Sequence, residues 1–166
     1  MIINRMPVLA LWIVLVASLG TGVTASMSAP AIQGTASVID GDTIEIRGQR
    51  IRLNAIDAPE SSQLCLDAAS KRYRCGQKSA FALADMIGRS AVSCQPNGRD
   101  RYKRLIAVCF KGQTNLNAWM VFQGWAMAYR KYGIDYIHRE NEARLARRGI
   151  WAGSFEMPWD WRARKR

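Results

Sequence analysis

Three successive runs in which apolar and polar residues alternate constrain this chain more than anything else in it. Residues 36–39, 43–47 and 50–56 each put apolar side chains on every second position, and only Asp40-Gly41-Asp42 and Gly48-Gln49 separate them. A period of two is the signature of a half-buried strand, and connections this short leave neighbouring strands no choice but to run antiparallel. In the third run Ile51, Leu53 and Ala55 face one way while Arg50, Arg52 and Asn54 face the other. The spacing then changes. Over residues 76–87, Phe81, Ala84 and Ile87 fall on one side and Lys78 and Asp85 on another, which predicts an amphipathic helix stopped by Gly88. Residues 91–94 and 105–110 read as two further strands, joined by residues 96–100 and the basic segment after them. Helices follow over residues 116–123 and 136–148, closed by Gly124 and Gly149. Five strands with a helix between the third and fourth imply an α+β, mainly β fold: a five-stranded OB-type Greek-key barrel with about three helices.

The chain's 166 residues suffice for one core and are too few for two ordinary domains. Arg5, the apolar run from Pro7 to Leu19 and the small residues Val23-Thr24-Ala25 read as an export signal over residues 1–25. If uncleaved, that segment is the only membrane attachment expected, and it is short for a span. Residues 26–34 read as a flexible leader, residues 35–155 as the folded domain and residues 156–166 as a basic tail containing tryptophan. The tail is expected to pack Trp159 and Trp161 and leave its basic end in solvent, with Trp119, Trp125 and Trp151 filling core and His138 on a helix surface.

The formal net charge is +11, and loss of residues 1–25, whose only charged residue is Arg5, lowers it by one. Such an excess favours polyanions, although a basic exported protein without a nucleic-acid role has the same composition. Four cysteines in a chain that leaves the cytoplasm point to disulfides. Of the three connectivities, Cys65 with Cys75 and Cys94 with Cys109 are favoured because each closes a local loop and the second pair flanks a hairpin. A zinc site is the competitor, but there is no Cys-x-x-Cys and one histidine.

Chemistry concentrates in three stretches: Asp40-Gly41-Asp42-Thr43, then Arg52 through Asp57-Ala58-Pro59-Glu60, then Asp100-Arg101-Tyr102-Lys103-Arg104. Taken singly, each has a bland reading as a tight turn, a helix entry or a solvated basic hairpin. Together they supply carboxylates for a hard cation and planar guanidinium forks for a phosphate. With these motifs in this order, the chain resembles a secreted thermonuclease of the staphylococcal nuclease family over roughly residues 35–151.

The resemblance implies an exported, calcium-dependent nuclease that hydrolyses DNA and RNA, breaking the bond from phosphorus to the 5′ oxygen and leaving 3′-phosphates. It places calcium on Asp42, Asp57 and the main-chain carbonyl of Ala58, with Asp40 in support, and makes Glu60 the general base. It assigns Arg52 and Arg104 to the phosphate under attack, and Arg101, Tyr102 and Tyr129 to substrate contacts. Aromatic rings stack on any base, so single strands are favoured without strong sequence preference. Tyr129 has an equally good reading as a rim residue packed on the final helix. The expected state is a monomer without a stable protein partner. Alternatives from other classes are an OB-type nucleic-acid-binding protein that does not cleave, and an accessory protein of envelope or exopolysaccharide biology. Two positions depart from the family's pattern: Ala58 stands for the commoner threonine, and Lys103 stands where the family's Asp-x-Tyr-Gly-Arg has glycine. A positive φ at residue 103 strains a lysine; a negative φ leaves it free to touch phosphate.

Overall fold

The computed structural model describes residues 30–165, so the export signal expected over residues 1–25 lies outside the described residues. Strands β1 (Ile32–Asp40), β2 (Thr43–Ile46) and β3 (Gln49–Leu53) form an antiparallel meander. The chain then makes three two-residue ribbons' worth of strand, β4 (Ile56–Asp57), β5 (Cys65–Leu66) and β6 (Arg72–Tyr73), before helix α1 (Cys75–Ile87). Strands β7 (Ala91–Arg99), β8 (Leu105–Lys111) and the short β9 (Thr114–Asn115) follow, then α2 (Leu116–Phe122), β10 (Met127–Ala128), α3 (Ile137–Leu145), a 3-10 turn (Gly149–Ala152) and α4 (Pro158–Arg164). The sheet runs β3-β2-β1-β7-β8-β9, and a parallel pairing of β3 with β8 closes it into a five-stranded barrel. This is the mixed, closed OB-type barrel expected from the element order, with four α-helices among the described residues rather than about three.

Alternation decides what fills it. Ile44, Ile46, Ile51, Leu53, Val92 and Ala107 point inward at 0% exposure, and Leu83 and Ile87 of α1 and Leu116 and Met120 of α2 close the ends. Each such side chain contributes about 1.5–3 kcal/mol on leaving water. A second, smaller cluster of Cys65, Cys75, Met127 and Ile150 gathers Trp125, Trp151, Phe155, Met157 and Trp159 beside the barrel. Disulfides join Cys65 to Cys75 beneath this cluster and Cys94 to Cys109 across the β7–β8 pair.

Several boundaries differ from expectation. β1 begins at Ile32, inside the expected leader, because Ile32 to Thr35 find partners on β7 rather than on β2. The third strand ends at Leu53, not Ile56, since Ala55 adopts φ +57° and turns the chain so that β4 pairs with β10 instead. β7 continues through Pro96 and Gly98, where a bulge absorbs the proline. α3 stops at Leu145, and residues 149–152 form a separate 3-10 turn. Trp119, Trp125 and Trp151 pack against the core clusters, and the His138 side chain is 82% exposed.

Candidate active site

The rim of the barrel gathers its carboxylates through strand register. Thr43 pairs with Arg52 across β2 and β3, so the arginine, leaving β3 on the polar side, lies next to Asp42. Gly41 lets the preceding turn lie flat on α1: a Cβ there would overlap the Ser79 hydroxyl and come within 2.7 Å of the Ala58 side chain. Asp42 therefore meets residue 58 directly. Its Oδ2 accepts the Ala58 N–H at 2.8 Å, and its Oδ1 accepts from the Thr43 hydroxyl at 3.1 Å and from Arg52 Nη1. Asp40 caps the same turn by accepting the Asp42 N–H at 3.0 Å. Arg52 spans the gap, donating from Nη2 to Asp57 Oδ1 at 2.6 Å and to the Ile56 carbonyl at 3.3 Å. Glu60 is positioned from beneath. The Gln63 N–H reaches its carbonyl at 2.7 Å, and Gly76, at the start of α1, sits so close to that carbonyl that any Cβ would collide with it.

These carboxylates are withdrawn from water, at 2% exposure for Asp42 and 0% for Asp57. Burial pushes Asp42 up to about 6, which Arg52 offsets only in part while Asp40 adds to the rise. Burial also raises Asp57, opposed by its hydrogen bonds from Arg162 and by the charge of Arg52. Arg52 loses hydration, yet Asp42 and Asp57 hold its charge more firmly than water does. The rim thus concentrates negative charge where it needs a cation.

The basic loop meets it from the β7–β8 end. Asp100 organises the turn, accepting the Tyr102 N–H at 2.9 Å, the Arg104 N–H at 3.0 Å and Arg104 Nε at 2.7 Å. Arg104 Nη1 then lies 3.3 Å from the Thr43 hydroxyl, the neighbour of Asp42. Lys103 has φ +65°, so the left-handed conformation is real and a lysine occupies it. The strain does not dislodge Arg104, because Asp100 grips both its backbone and its side chain. Arg101 and Tyr102 remain at the surface, with the guanidinium 4.9 Å from the ring centre.

Arg52, Glu60, Arg101, Tyr102, Arg104 and Tyr129 all line one cleft of about 560 Å³. Asp42 and Asp57 reach it through their contacts with Arg52. Sequence reasoning did not foresee the cleft's remaining wall. α4 carries Trp159, whose ring stacks on Tyr129 at 5.4 Å and 3°, and Arg162, which enters the carboxylate cluster. Arg162 donates to both oxygens of Asp57, at 3.0 and 2.7 Å, and to Glu60 Oε1 at 2.8 Å. The expectation that the tail's basic end is solvated is therefore corrected at this residue: a buried carboxylate attracts a guanidinium more strongly than bulk water competes for it. Pro158 at the first helical turn and the Trp159-x-x-Arg162 spacing, which puts both side chains on one helix face, were the only local signals.

The donor set suits a hard divalent cation in kind, offering only oxygen from Asp42, Asp57 and Glu60 around a position that already demands positive charge. It is arranged at present around guanidinium groups. Among the described residues no three acidic, histidine or cysteine side chains converge as a ready cage.

The chain is similar in sequence to known proteins. Residues 50–153 match the staphylococcal nuclease homologue family. Over 128 residues, 75% of the chain, it is 47% identical to the succinoglycan biosynthesis protein ExoI of Rhizobium meliloti, and the match covers 66% of that relative's length. It is 37% identical over 143 residues to a micrococcal nuclease of Shigella flexneri, covering 75% of the chain and 76% of the relative. An uncharacterized endonuclease of Haemophilus influenzae is 34% identical over 137 residues, covering 78% and 71%.

Proposed function

The chain belongs to the staphylococcal nuclease family, and on that premise we propose that it is an exported, calcium-dependent phosphodiesterase that hydrolyses DNA and RNA to 3′-phosphate products. The observation that carries this reading is that Glu60, Arg52 and Arg104 line one cleft, with Asp42 and Asp57 held behind Arg52. Two disulfides suit an oxidising compartment and support export to the periplasm or beyond.

Asp42, Asp57 and the Ala58 carbonyl would hold the cation, which when bound supplies charge that polarises a phosphate oxygen. Glu60, at the cleft wall, accepts a proton from the attacking water. Arg52 and Arg104 offer donor forks to the equatorial and leaving oxygens as charge grows there, a role in which one lost donor costs about 10²–10³ in rate. Asp100 keeps Arg104 aimed. Arg101 and Tyr102 rim the cleft, and Tyr129, whose ring is stacked on Trp159, would meet a base only once Trp159 moves aside; single strands are the favoured substrate. The folded unit, from β1 at Ile32 through α4, acts as a monomer, and residues 1–25 are the export signal.

The test is cleavage of labelled single-stranded DNA and RNA by the purified chain, with calcium, with chelator, and with Glu60→Gln. Calcium-dependent cleavage that leaves 3′-phosphates and is lost in the variant is the expected result. Salt-sensitive binding without cleavage would leave a nucleic-acid-binding protein instead. Similarity to the succinoglycan biosynthesis protein of Rhizobium meliloti favours a second reading, an accessory part in exopolysaccharide biology; failure to cleave or bind either polymer with or without calcium would bring it forward.

A further inference from the structure

The described tail does something the proposed reaction does not call for. Arg162 occupies two of the three carboxylates that the cation and the water need, forking onto Asp57 and reaching Glu60. Three residues earlier on the same helix face, Trp159 covers the ring of Tyr129 at 5.4 Å. One short helix therefore holds the cation site, the general base and the base-stacking ring together.

The charge balance of the cluster shows what must give. Asp42, Asp57 and Glu60 carry three negative charges against the two guanidinium groups of Arg52 and Arg162. Asp40, beside Asp42, adds a fourth negative charge, but a divalent cation at Asp57 would lie against the Arg162 guanidinium that already contacts both of its oxygens, and like charges crowded in a place withdrawn from water repel strongly. Arg52 cannot withdraw its backbone, because β3 is paired on both sides, with β2 and β8. Arg162 can. α4 has seven residues and, among the described residues, makes no backbone hydrogen bond to another element; it is held by side chains, with Met157 and Trp159 packed on the second cluster and the Gln63 side chain donating to the Glu156 carbonyl at 2.7 Å. The Arg164–Glu156 pair, at 2.8 Å, lies within the tail itself and moves with it.

We propose that α4 is a built-in competitor for the active site, with the Arg162 guanidinium standing where the cation's charge is needed, so that cation binding and withdrawal of the helix are one coupled equilibrium. This rests on the proposed cation site. Withdrawal frees Asp57, releases Glu60 to act as base and uncovers Tyr129 in a single movement, so the cleft opens fully only where calcium is abundant, and the closed form protects against cleavage before export. A ligand that must displace an internal group binds more weakly by the population of the closed state, and removing the competitor restores the intrinsic affinity.

Calcium titration of the full chain by calorimetry tests this without reference to activity. Arg162→Ala is expected to bind calcium at least about tenfold more tightly than wild type, and Trp159→Ala, which loosens the helix without touching the carboxylates, at least about threefold. Melting in chelator establishes that each variant is folded, and Trp159→Ala carries the test should Arg162→Ala not fold. Calcium should also change the tryptophan emission of wild type, and the change should be smaller in Trp159→Phe, where Trp161 is the remaining tryptophan on the helix. Wild-type binding with equal or weaker affinity in both variants, or without the Trp159 signal, overturns the competitor and leaves the cation site standing. Absence of calcium binding in wild type and variants alike overturns both.

Discussion

Two regions meet at the cleft by opposite routes. The acidic rim comes from Asp42, Asp57 and Glu60, which the start of β2 and the exit from β3 bring together within a short stretch of chain: Asp42 is braced by the Ala58 N–H, Asp57 lies on β4 paired with β10, and the Glu60 backbone is held by Gln63 against α1. The tail brings Trp159 and Arg162 from the far end, 105 positions beyond Asp57, on a helix held chiefly by side chains. The difference teaches that the carboxylates and Arg52 belong to the rigid part of this site, while the second counter-charge, Arg162, sits on the part held by side chains. A site built the other way round would have its ligands wander and its counter-charge fixed.

The comparison breaks most visibly at Asp57, where the two regions touch. Asp57→Ala removes the carboxylate shared by Arg52 and Arg162, which keep Asp42 and Glu60 respectively, and an expected loss of about 1.5–3 kcal/mol in urea unfolding follows from the broken charged hydrogen bonds. Gly76→Ala attacks the rigid side alone: the new methyl collides with the Glu60 carbonyl, so stability should fall by about 1–3 kcal/mol and cleavage with it. An unaltered melting curve for either variant would mean that the rim is softer than described.

Asp100 sharpens the comparison on the basic loop. Burial alone would raise it, but hydrogen bonds from the Arg104 side chain and backbone and from Tyr102 bring it below the usual range. A depressed carboxylate stabilises the fold above its unfolded value, near 4, and that contribution is lost as pH falls through the lower folded value. Asp100→Asn should therefore cost about 1 kcal/mol at neutral pH, with the gap from wild type closing in strong acid. The smallest effect is expected at Lys103, whose φ of +65° suits glycine better. Lys103→Gly trades relief of strain against a looser unfolded chain, so thermal unfolding should move by no more than about 1 kcal/mol.

Much of this was legible in the residues because barrels write their inward faces as alternation. Ile44 and Ile46, Ile51 and Leu53, and the alternate residues of β8 declared themselves, and with them the direction of Arg52. β1's first residues did not, since their burial only alternates between partial and none and Gly34 interrupts the pattern. Nor did the outer half of β7, where a proline and a bulge look like a loop. The turn at Ala55 was hidden because alanine rarely takes φ +57°, and the price was a third strand read three residues too long. Of the site, the carboxylates and two arginines were readable as a motif. Arg162 was not, because no local pattern tells a basic tail that a buried aspartate waits across the fold.

The most direct measurement is a crystal structure of full-length Glu60→Gln grown with calcium and a short single-stranded DNA. The account predicts a cation coordinated by Asp42, Asp57 and the Ala58 carbonyl, a phosphate gripped by Arg52 and Arg104, and Arg162 gone from Asp57. Arg162 still seated on Asp57, with no cation beside Asp42 and the DNA bound elsewhere, would contradict it.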